Sequence, residues 1–350
     1  MGGSAVSASA GSTISLQQET QTLAERATTV PRKLVHRRQS SQVLPTGVER
    51  SAPHRFVVTV RWPAGHRFLG STTGRGSDPQ LVAETLRQAG MLVAHVGYHV
   101  TYGHALAINS LTYEVDEELI RPDARPSEIT VEVVCREVRM RAGVLRGVRM
   151  HMALRRGAEA VGVGQVTASC VSRTVQARLR GAARLSDDPS LPRLGDPVQP
   201  ALVGRDRPRD VLLSAGSAPG TWVLRAERDH PVLYDHPLDH VSAMAAMEAM
   251  RQAAQLTLGL SATICQQVSV TFLRYIEHDE PCLVTPVEVR GAGADRAAVT
   301  VRMDQRSREL VRGLFVLEEE HVLEPWMGAA AHREEPGLPP GEKVLCREGR

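Results

Sequence analysis

Hydrophobic positions in this chain change period in the same order twice. Residues Arg55-Phe56-Val57-Val58-Thr59-Val60-Arg61-Trp62 are rich in β-branched and aromatic side chains and stop at Pro63, which predicts a strand. A Gly/Ser/Thr-rich loop follows from Gly65 to Ser77. Asp78-Pro79 then supplies an N-cap and a first-turn proline, and the spacing predicts a helix to about Val96. Val82, Leu86, Ala89, Val93 and Val96 make one apolar stripe on that helix. Glu84, Gln88, Met91 and His95 make a second stripe, with Arg87 beside Glu84. Alternation resumes over 107–115, 128–141, 148–155 and 160–173, with turns at Ala142-Gly143 and Arg156-Gly157. A shorter strand is predicted earlier, at Leu34-Val35-His36.

The same plan then recurs. Short strands are predicted at Val211-Leu212-Leu213 and over 221–228, a helix over about 241–260, and strands over 267–275, 283–290, 297–305 and 309–317. Between the copies, residues 181–208 hold Gly, Pro, Asp and Ser with little periodicity. The chain therefore divides into a Ser/Thr/Ala/Gln-rich disordered leader (1–30), a first copy (31–180), a linker (181–208), a second copy (209–323) and a flexible tail (324–350). One long apolar helix followed by several antiparallel strands is an α+β unit, a helix wrapped by a curved sheet. Two such units in one chain pair as a pseudo-dimer, and joining their sheets edge to edge removes an exposed edge.

The helices carry the candidate chemistry. Glu84-Thr85-Leu86-Arg87-Gln88-Ala89 and Glu248-Ala249-Met250-Arg251-Gln252-Ala253 both read E-x-x-R-Q-A, and each glutamate lies 18 residues after a histidine, His66 or His230. Glu and Arg three apart share a helix side. Charges on an apolar helix are costly to bury unless paired or used. His230, Glu248 and Arg251, with His66, Glu84 and Arg87 as counterparts, form a set that polarises a carbonyl, moves a proton and holds an anion. The competing reading is an ion pair within each helix, covered by the sheet. The helix start at 241–245 offers backbone N–H groups to a thioester oxygen.

Other features change the picture less. Asp235, His236, Asp239 and His240 are metal-ligand types, but no second ligand cluster follows, so they read as a polar loop with a helix cap and no metal is expected. Cys282 has no patterned His-Asn partners, and the five cysteines are odd in number and widely spaced, as in a reduced protein. Arg136, Arg139, Arg141, Arg146 and Arg149 form either a solvated sheet face or a patch for an acidic carrier protein. With a net charge of +3 and arginines scattered through the strands, no nucleic-acid partner is expected. No apolar run reaches the ~18 residues of a membrane helix, and no secretory signal is visible, so a cytoplasmic location is expected. No dinucleotide fingerprint, P-loop or nucleophile elbow occurs.

Several of these segments together resemble a known family. Residues 78–92, the run Asp239-His240-Val241 with Met244, Glu248 and Arg251-Gln252-Ala253, and Phe272-x-Arg274-Tyr275-x-Glu277 with Pro281-Cys282 resemble the A-factor biosynthesis (AfsA-like) family of γ-butyrolactone autoregulator synthases. Val35-His36-Arg37 and Arg141-Ala142-Gly143 are also similar, and the likeness spans about 34–320. The resemblance implies two tandem hotdog domains, related to fatty-acid dehydratases and thioesterases. It implies transfer of a β-ketoacyl group from acyl carrier protein to the hydroxyl of dihydroxyacetone phosphate, with no cofactor beyond the carrier's phosphopantetheine. The ester then cyclises to a butenolide on the way to a signal controlling secondary metabolism. Glu248 would be the general base and Arg251 would hold the phosphate, with Glu84 and Arg87 in the matching first-copy places. His66 and His230 join them by spacing, and Arg274 joins the substrate-binding set. Tyr275 stands where the dehydratases carry proline, and the loop between His230 and Glu248 is longer than theirs, which argues against dehydration. The alternatives are a hotdog thioesterase or dehydratase, and a non-catalytic acyl-binding regulatory module. The expected assembly is a monomeric pseudo-dimer or a homo-oligomer.

Overall fold

In the computed structural model the described residues are 30–64, 66, 68–69, 80–116, 126–180, 193–260, 263–292 and 296–319. The leader except Val30, the Asp78-Pro79 helix start, residues 181–192 of the linker and the tail fall outside them. In the first half β1 (Pro45–Ala52) and β2 (Arg55–Trp62) precede helix α1 (Gln80–Tyr98). Then come β3 (Ala105–Val115), β4 (Ser127–Arg141), β5 (Val144–Arg156), β6 (Glu159–Val171) and a short basic helix α2 (Arg173–Arg180). In the second half β7 (Leu213–Ala215) and β8 (Trp222–Leu224) precede α3 (Ala243–Leu258). Strands β9 (Thr263–Phe272), β10 (Leu283–Gly291), β11 (Arg296–Gln305) and β12 (Arg308–Glu319) complete it.

All twelve strands join one antiparallel sheet in the order β1-β2-β4-β5-β6-β3-β9-β12-β11-β10-β8-β7. The order of the second half mirrors that of the first, and the mirror lies between β3 and β9. There Ser110 faces Thr271 and the register runs through Leu111–Val270 to Glu114–Gln267, so the two curved sheets share their inner edges. Each long helix packs its apolar stripe on its own half of the sheet. On α1 that stripe, including Val82, Leu86, Ala89 and Val93, is essentially unexposed. The approach is close where β6 has no side chain: a Cβ on Gly164 would lie 2.4 Å from Leu86 Cδ1.

Three expectations need correction. Leu34-Val35-His36 is no strand: residues Arg32–Val35 form a 3-10 turn, and His36 ends it in the left-handed region at φ 52°. Leu34 and Val35 are both buried, so the run is apolar without alternating and is tucked into the core. Pro200–Val203 repeats the turn, ended by Gly204 at φ 63°. The strand expected over 221–228 shrinks to Trp222–Leu224, because the Arg225 side chain turns in to donate to the Gly195 and Val211 carbonyls. The second helix starts later and stops earlier than 241–260: Ser242 caps it by accepting from the Ala245 N–H, and left-handed Gly259 ends it. No helix among the described residues is long and apolar enough to cross a membrane.

Candidate active site

The second polar stripe of each helix faces a buried hydrogen-bond lattice. On α1, Glu84 is 2 % exposed. Arg87, one turn on, donates Nε to Glu84 Oε2 at 2.8 Å and Nη2 to Oε1 at 2.7 Å. Gln88 donates to the same carboxylate, and its own Oε1 accepts from the Leu44 N–H at 2.9 Å. The third partner comes from outside the helix: Arg37 places Nη2 2.6 Å from Glu84 Oε1. The left-handed residue His36 turns the chain so that Arg37 points inward. Arg37 also donates to the Val232 carbonyl at 2.8 Å and lies 3.6 Å from Asp235 Oδ1, so it ties the two halves together.

The lattice is repeated around Glu248, which is unexposed. Arg251 donates to Oε2 at 2.9 Å and Oε1 at 2.8 Å, and Gln252 donates to Oε1 at 2.7 Å. Arg205 donates Nε to Oε1 at 2.8 Å, donates to the Phe68 carbonyl at 2.8 Å and stacks on the Phe68 ring at 4.4 Å. Gln80, the first residue of α1, donates to Glu248 Oε2 at 2.9 Å across the halves. Burial opposes ionisation of both glutamates. The Arg37 and Arg87 guanidiniums overcome it at Glu84, Arg205 and Arg251 overcome it at Glu248, and each carboxyl is held at about 2. Both are anions, and each of their oxygens accepts at least one of these hydrogen bonds.

The two histidines at the common spacing make equivalent contacts in the two copies. His66 Nδ1 accepts from the Phe68 and Leu69 N–H groups at 3.2 and 2.9 Å; His230 Nδ1 accepts from those of Val232 and Leu233 at 3.3 and 3.1 Å. That leaves Nε2–H of each ring as donor, to Gln42 Oε1 at 3.3 Å for His66 and to Asp210 Oδ1 at 2.9 Å for His230. The 18-residue offset thus marks a turn cap placed beside the helix in both copies.

A cleft of about 1870 Å³ opens at the first of the two lattices. Its walls are apolar where Leu44, Met91, Ile108, Met244, Phe272 and Val311 line it. Its polar lining is lopsided: among the described residues Arg32, Lys33, Arg37, Arg38, Arg61, Arg87, Arg180 and Arg274 line it with one carboxylate, Asp239. Of the candidate residues from sequence, Arg87 and Arg274 line this cleft; Glu84 lies directly beneath Arg37 and Arg87. Glu248, Arg251, His230 and His66 are not in its lining. Arg274 is exposed and anchored by donation to the Glu309 carbonyl at 3.1 Å.

The His-rich loop of the second half forms the far wall. Asp235, with a fully covered carboxylate, accepts from the Arg38 N–H at 2.6 Å and from His236 Nδ1 at 2.6 Å. Asp239 accepts from His240 Nδ1 and, at 3.1 Å, from Arg180 Nε. Hydrogen bonding from His240, then its charge and Arg180, holds Asp239 well below the usual carboxylate range against the opposing effect of burial. Next to this pair, Ala243 and Met244 line the cleft, and their N–H groups precede the first intrahelical bond, from Ala246 to Ser242. Among the described residues no group of three His, Cys, Asp or Glu is arranged to hold a metal ion. Cys282 is buried, and burial with the nearby Asp304 carboxylate pushes its thiol up to about 12, so it is protonated at neutral pH. In the basic strand pair, Arg149 lies 2.6 Å from Glu137.

Arg37 and Arg205 were missed as site residues from sequence. A signal was present: Leu34-Val35-His36-Arg37 and Leu202-Val203-Gly204-Arg205 repeat as L-V-x-R, but the second falls in the expected linker. Arg180 closes α2 with no sequence mark of its own.

Comparison with known proteins supplies the remaining findings. The A-factor biosynthesis hotdog domain matches residues 18–172 and 186–316. The chain is 37% identical over 278 residues to a 2-oxo-3-(phosphooxy)propyl 3-oxoalkanoate synthase of Streptomyces virginiae, covering 79% of this chain and 94% of that protein. It is 34% identical over 288 residues to the synthase of the same name from Streptomyces coelicolor, covering 82% and 91%. Among solved structures, an acyl-ACP thioesterase from Bacteroides thetaiotaomicron superposes with a TM-score of 0.46 at 12% identity, covering 75% of this chain and 98% of that one. The 12:0-ACP thioesterase from Umbellularia californica does so with 0.46 at 11% identity, covering 75% and 98%.

Proposed function

Because this chain belongs to the A-factor biosynthesis hotdog family, we propose that it is an acyltransferase that moves a 3-oxoacyl group onto the hydroxyl of dihydroxyacetone phosphate. The donor in this reading is the phosphopantetheine thioester of an acyl carrier protein, and no other cofactor takes part. The ester product then closes to a butenolide on the way to a γ-butyrolactone-type signal.

The observation that carries this reading is the cleft. Eight arginine and lysine residues line it against one carboxylate among the described residues, with Arg37, Arg87 and Arg180 braced by carboxylates and the other five open to a phosphorylated acceptor, and the apolar wall suits an acyl chain. Arg37 and Arg87 supply the positive floor, and Glu84 beneath them fixes their orientation. Glu248 and Arg251 have the same bonding outside the cleft, so their role in this reading is to lock the two halves; His66 and His230 cap turns. In this reading the N–H groups of Ala243 and Met244, outside the intrahelical ladder, receive the thioester oxygen as it gains charge during attack. Arg274 at the rim contacts the donor's phosphate arm.

Incubating the protein with 3-oxoacyl thioesters of several chain lengths and dihydroxyacetone phosphate should yield the phosphorylated ester by mass spectrometry. Arg87→Gln should lower kcat/KM for the phosphorylated acceptor by ~10–100-fold, the cost of one charged hydrogen bond, while leaving dihydroxyacetone itself an equally poor substrate. Thioester loss that ignores the acceptor would identify a thioesterase and sink the proposal.

A further inference from the structure

Two histidines that line the cleft, His236 and His240, are each bonded to the preceding aspartate, and the pairs are not equivalent. His236 lines the cleft with its aspartate committed to Arg37 and the Arg38 N–H. His240 lies next to the start of α3, and its Nδ1–H is fixed on Asp239. In the neutral ring that tautomer leaves the Nε2 lone pair free, and Nε2 has no hydrogen-bond partner among the described residues. Tyr275 packs edge-on against the ring with centroids 4.7 Å apart, which restrains its rotation. Arg180 braces the pair from behind. It donates Nε to Asp239 Oδ2 at 3.1 Å and Nη2 to the Asp239 carbonyl at 2.7 Å, pairs both terminal nitrogens with Glu277, and stacks on Tyr275 at 4.4 Å. Its side chain is 5 % exposed although it ends a surface helix.

We propose that His240 is the general base of the acyl transfer, with Asp239 and Arg180 as positioning residues. The assignment rests on the acyltransferase reading. His240 Nε2 takes the proton of the acceptor hydroxyl as its oxygen bonds to the thioester carbonyl carbon. The tetrahedral intermediate then breaks the carbon–sulfur bond, and the proton on His240 passes to the departing thiolate. Ester and free thiol leave, and the histidine returns neutral. Arg180 comes from the first half of the chain and the histidine from the second, so the base is set only when α2 is docked. The charged and titratable groups around the ring are Asp239 beside it, Arg180 from α2, and Tyr275, Glu277 and His278 from the segment after β9.

The test is steady-state kinetics of ester formation from pH 5 to 9 for the wild type, His240→Gln, His240→Asn, Arg180→Lys and Arg180→Gln, with Tm of each. Both His240 variants should lose ~10²–10⁴-fold in kcat, the usual worth of a positioned base, with KM for both substrates within threefold and the acid limb of the profile gone. Arg180→Gln should lose kcat and shift the acid limb to higher pH, because a positive charge beside the pair is removed; Arg180→Lys should restore part of the rate. A His240 variant within threefold of wild-type kcat overturns the assignment. So does a rate loss in the Arg180 variants that follows Tm alone and leaves the acid limb in place. An inactive wild type would instead refute the acyltransferase reading on which this rests.

Discussion

A buried carboxylate with two arginines is a balance in which each member needs the others. Removing one partner of such a set leaves an uncompensated charge, which costs about 3–5 kcal/mol. Glu248→Gln, which leaves Arg205 and Arg251 facing one another, should lower the unfolding free energy by about that amount in urea titration. The pH dependence has a defined sign. Glu84 and Glu248 are held at about 2 in the folded protein against an ordinary value of 4.5, so their stabilising effect is complete above 4.5 and is lost as pH falls towards 2. Thermal melts at pH 7, 4 and 3 should show a falling Tm in the wild type and a flatter decline in Glu248→Gln. An equal slope in both would separate this carboxylate from acid unfolding. His66 and His230 carry a related lesson. Their spacing to the helix glutamates looked catalytic, and the atoms show the same backbone N–H groups capped twice.

The elements owe their positions to local patterning plus a few close approaches. Helix α1 descends onto β6 because Gly164 has no side chain there, and Leu86 fills the space. Gly164→Ala would set a methyl 2.4 Å from Leu86 Cδ1 and 3.0 Å from the Thr112 carbonyl oxygen, with Leu86 fully buried and unable to swing aside. Overpacking of this kind costs about 1–3 kcal/mol, read as a lower midpoint at unchanged m-value. Gly143→Ala makes a good control. Its site is open, so the change tests only the φ of 74° at a turn and not the packing.

The molecule as a whole is a sheet with one continuous seam and polar crossings that make the halves interdependent. Gln80 serves Glu248, Arg37 reaches Val232 and Asp235, Arg205 caps Phe68, and Arg180 holds Asp239 and Glu277. Melting followed by far-ultraviolet and near-ultraviolet circular dichroism should therefore give coincident transitions. A fragment of residues 193–319, which lacks Gln80 and Phe68 and exposes the β9 edge, should not fold alone; a cooperative melt from that fragment would show the halves to be autonomous.

Periodicity alone determined most of this architecture. It located the long helices, the order of the long strands and their duplication, because each depends on which side chains within one segment must leave water together. The resemblance carried by residues 78–92, 239–253 and 272–282 determined the family in the same local terms. Elements whose direction is set by distant partners were not legible. The 3-10 turn at Arg32–Val35 looks extended until Arg37 is seen reaching Glu84, and Arg205 lies in a stretch with no period at all. Only the tertiary structure decided which E-x-x-R lattice borders the cleft. The two are nearly identical in sequence and in bonding, down to the carbonyl each receives from the other half, Val232 for Arg37 and Phe68 for Arg205; among the described residues the Gln80 amide that donates to Glu248 sets them apart, and Arg37 and Arg87 line the cleft. Solvent access is a property of the surroundings, and no spacing within the motif encodes it.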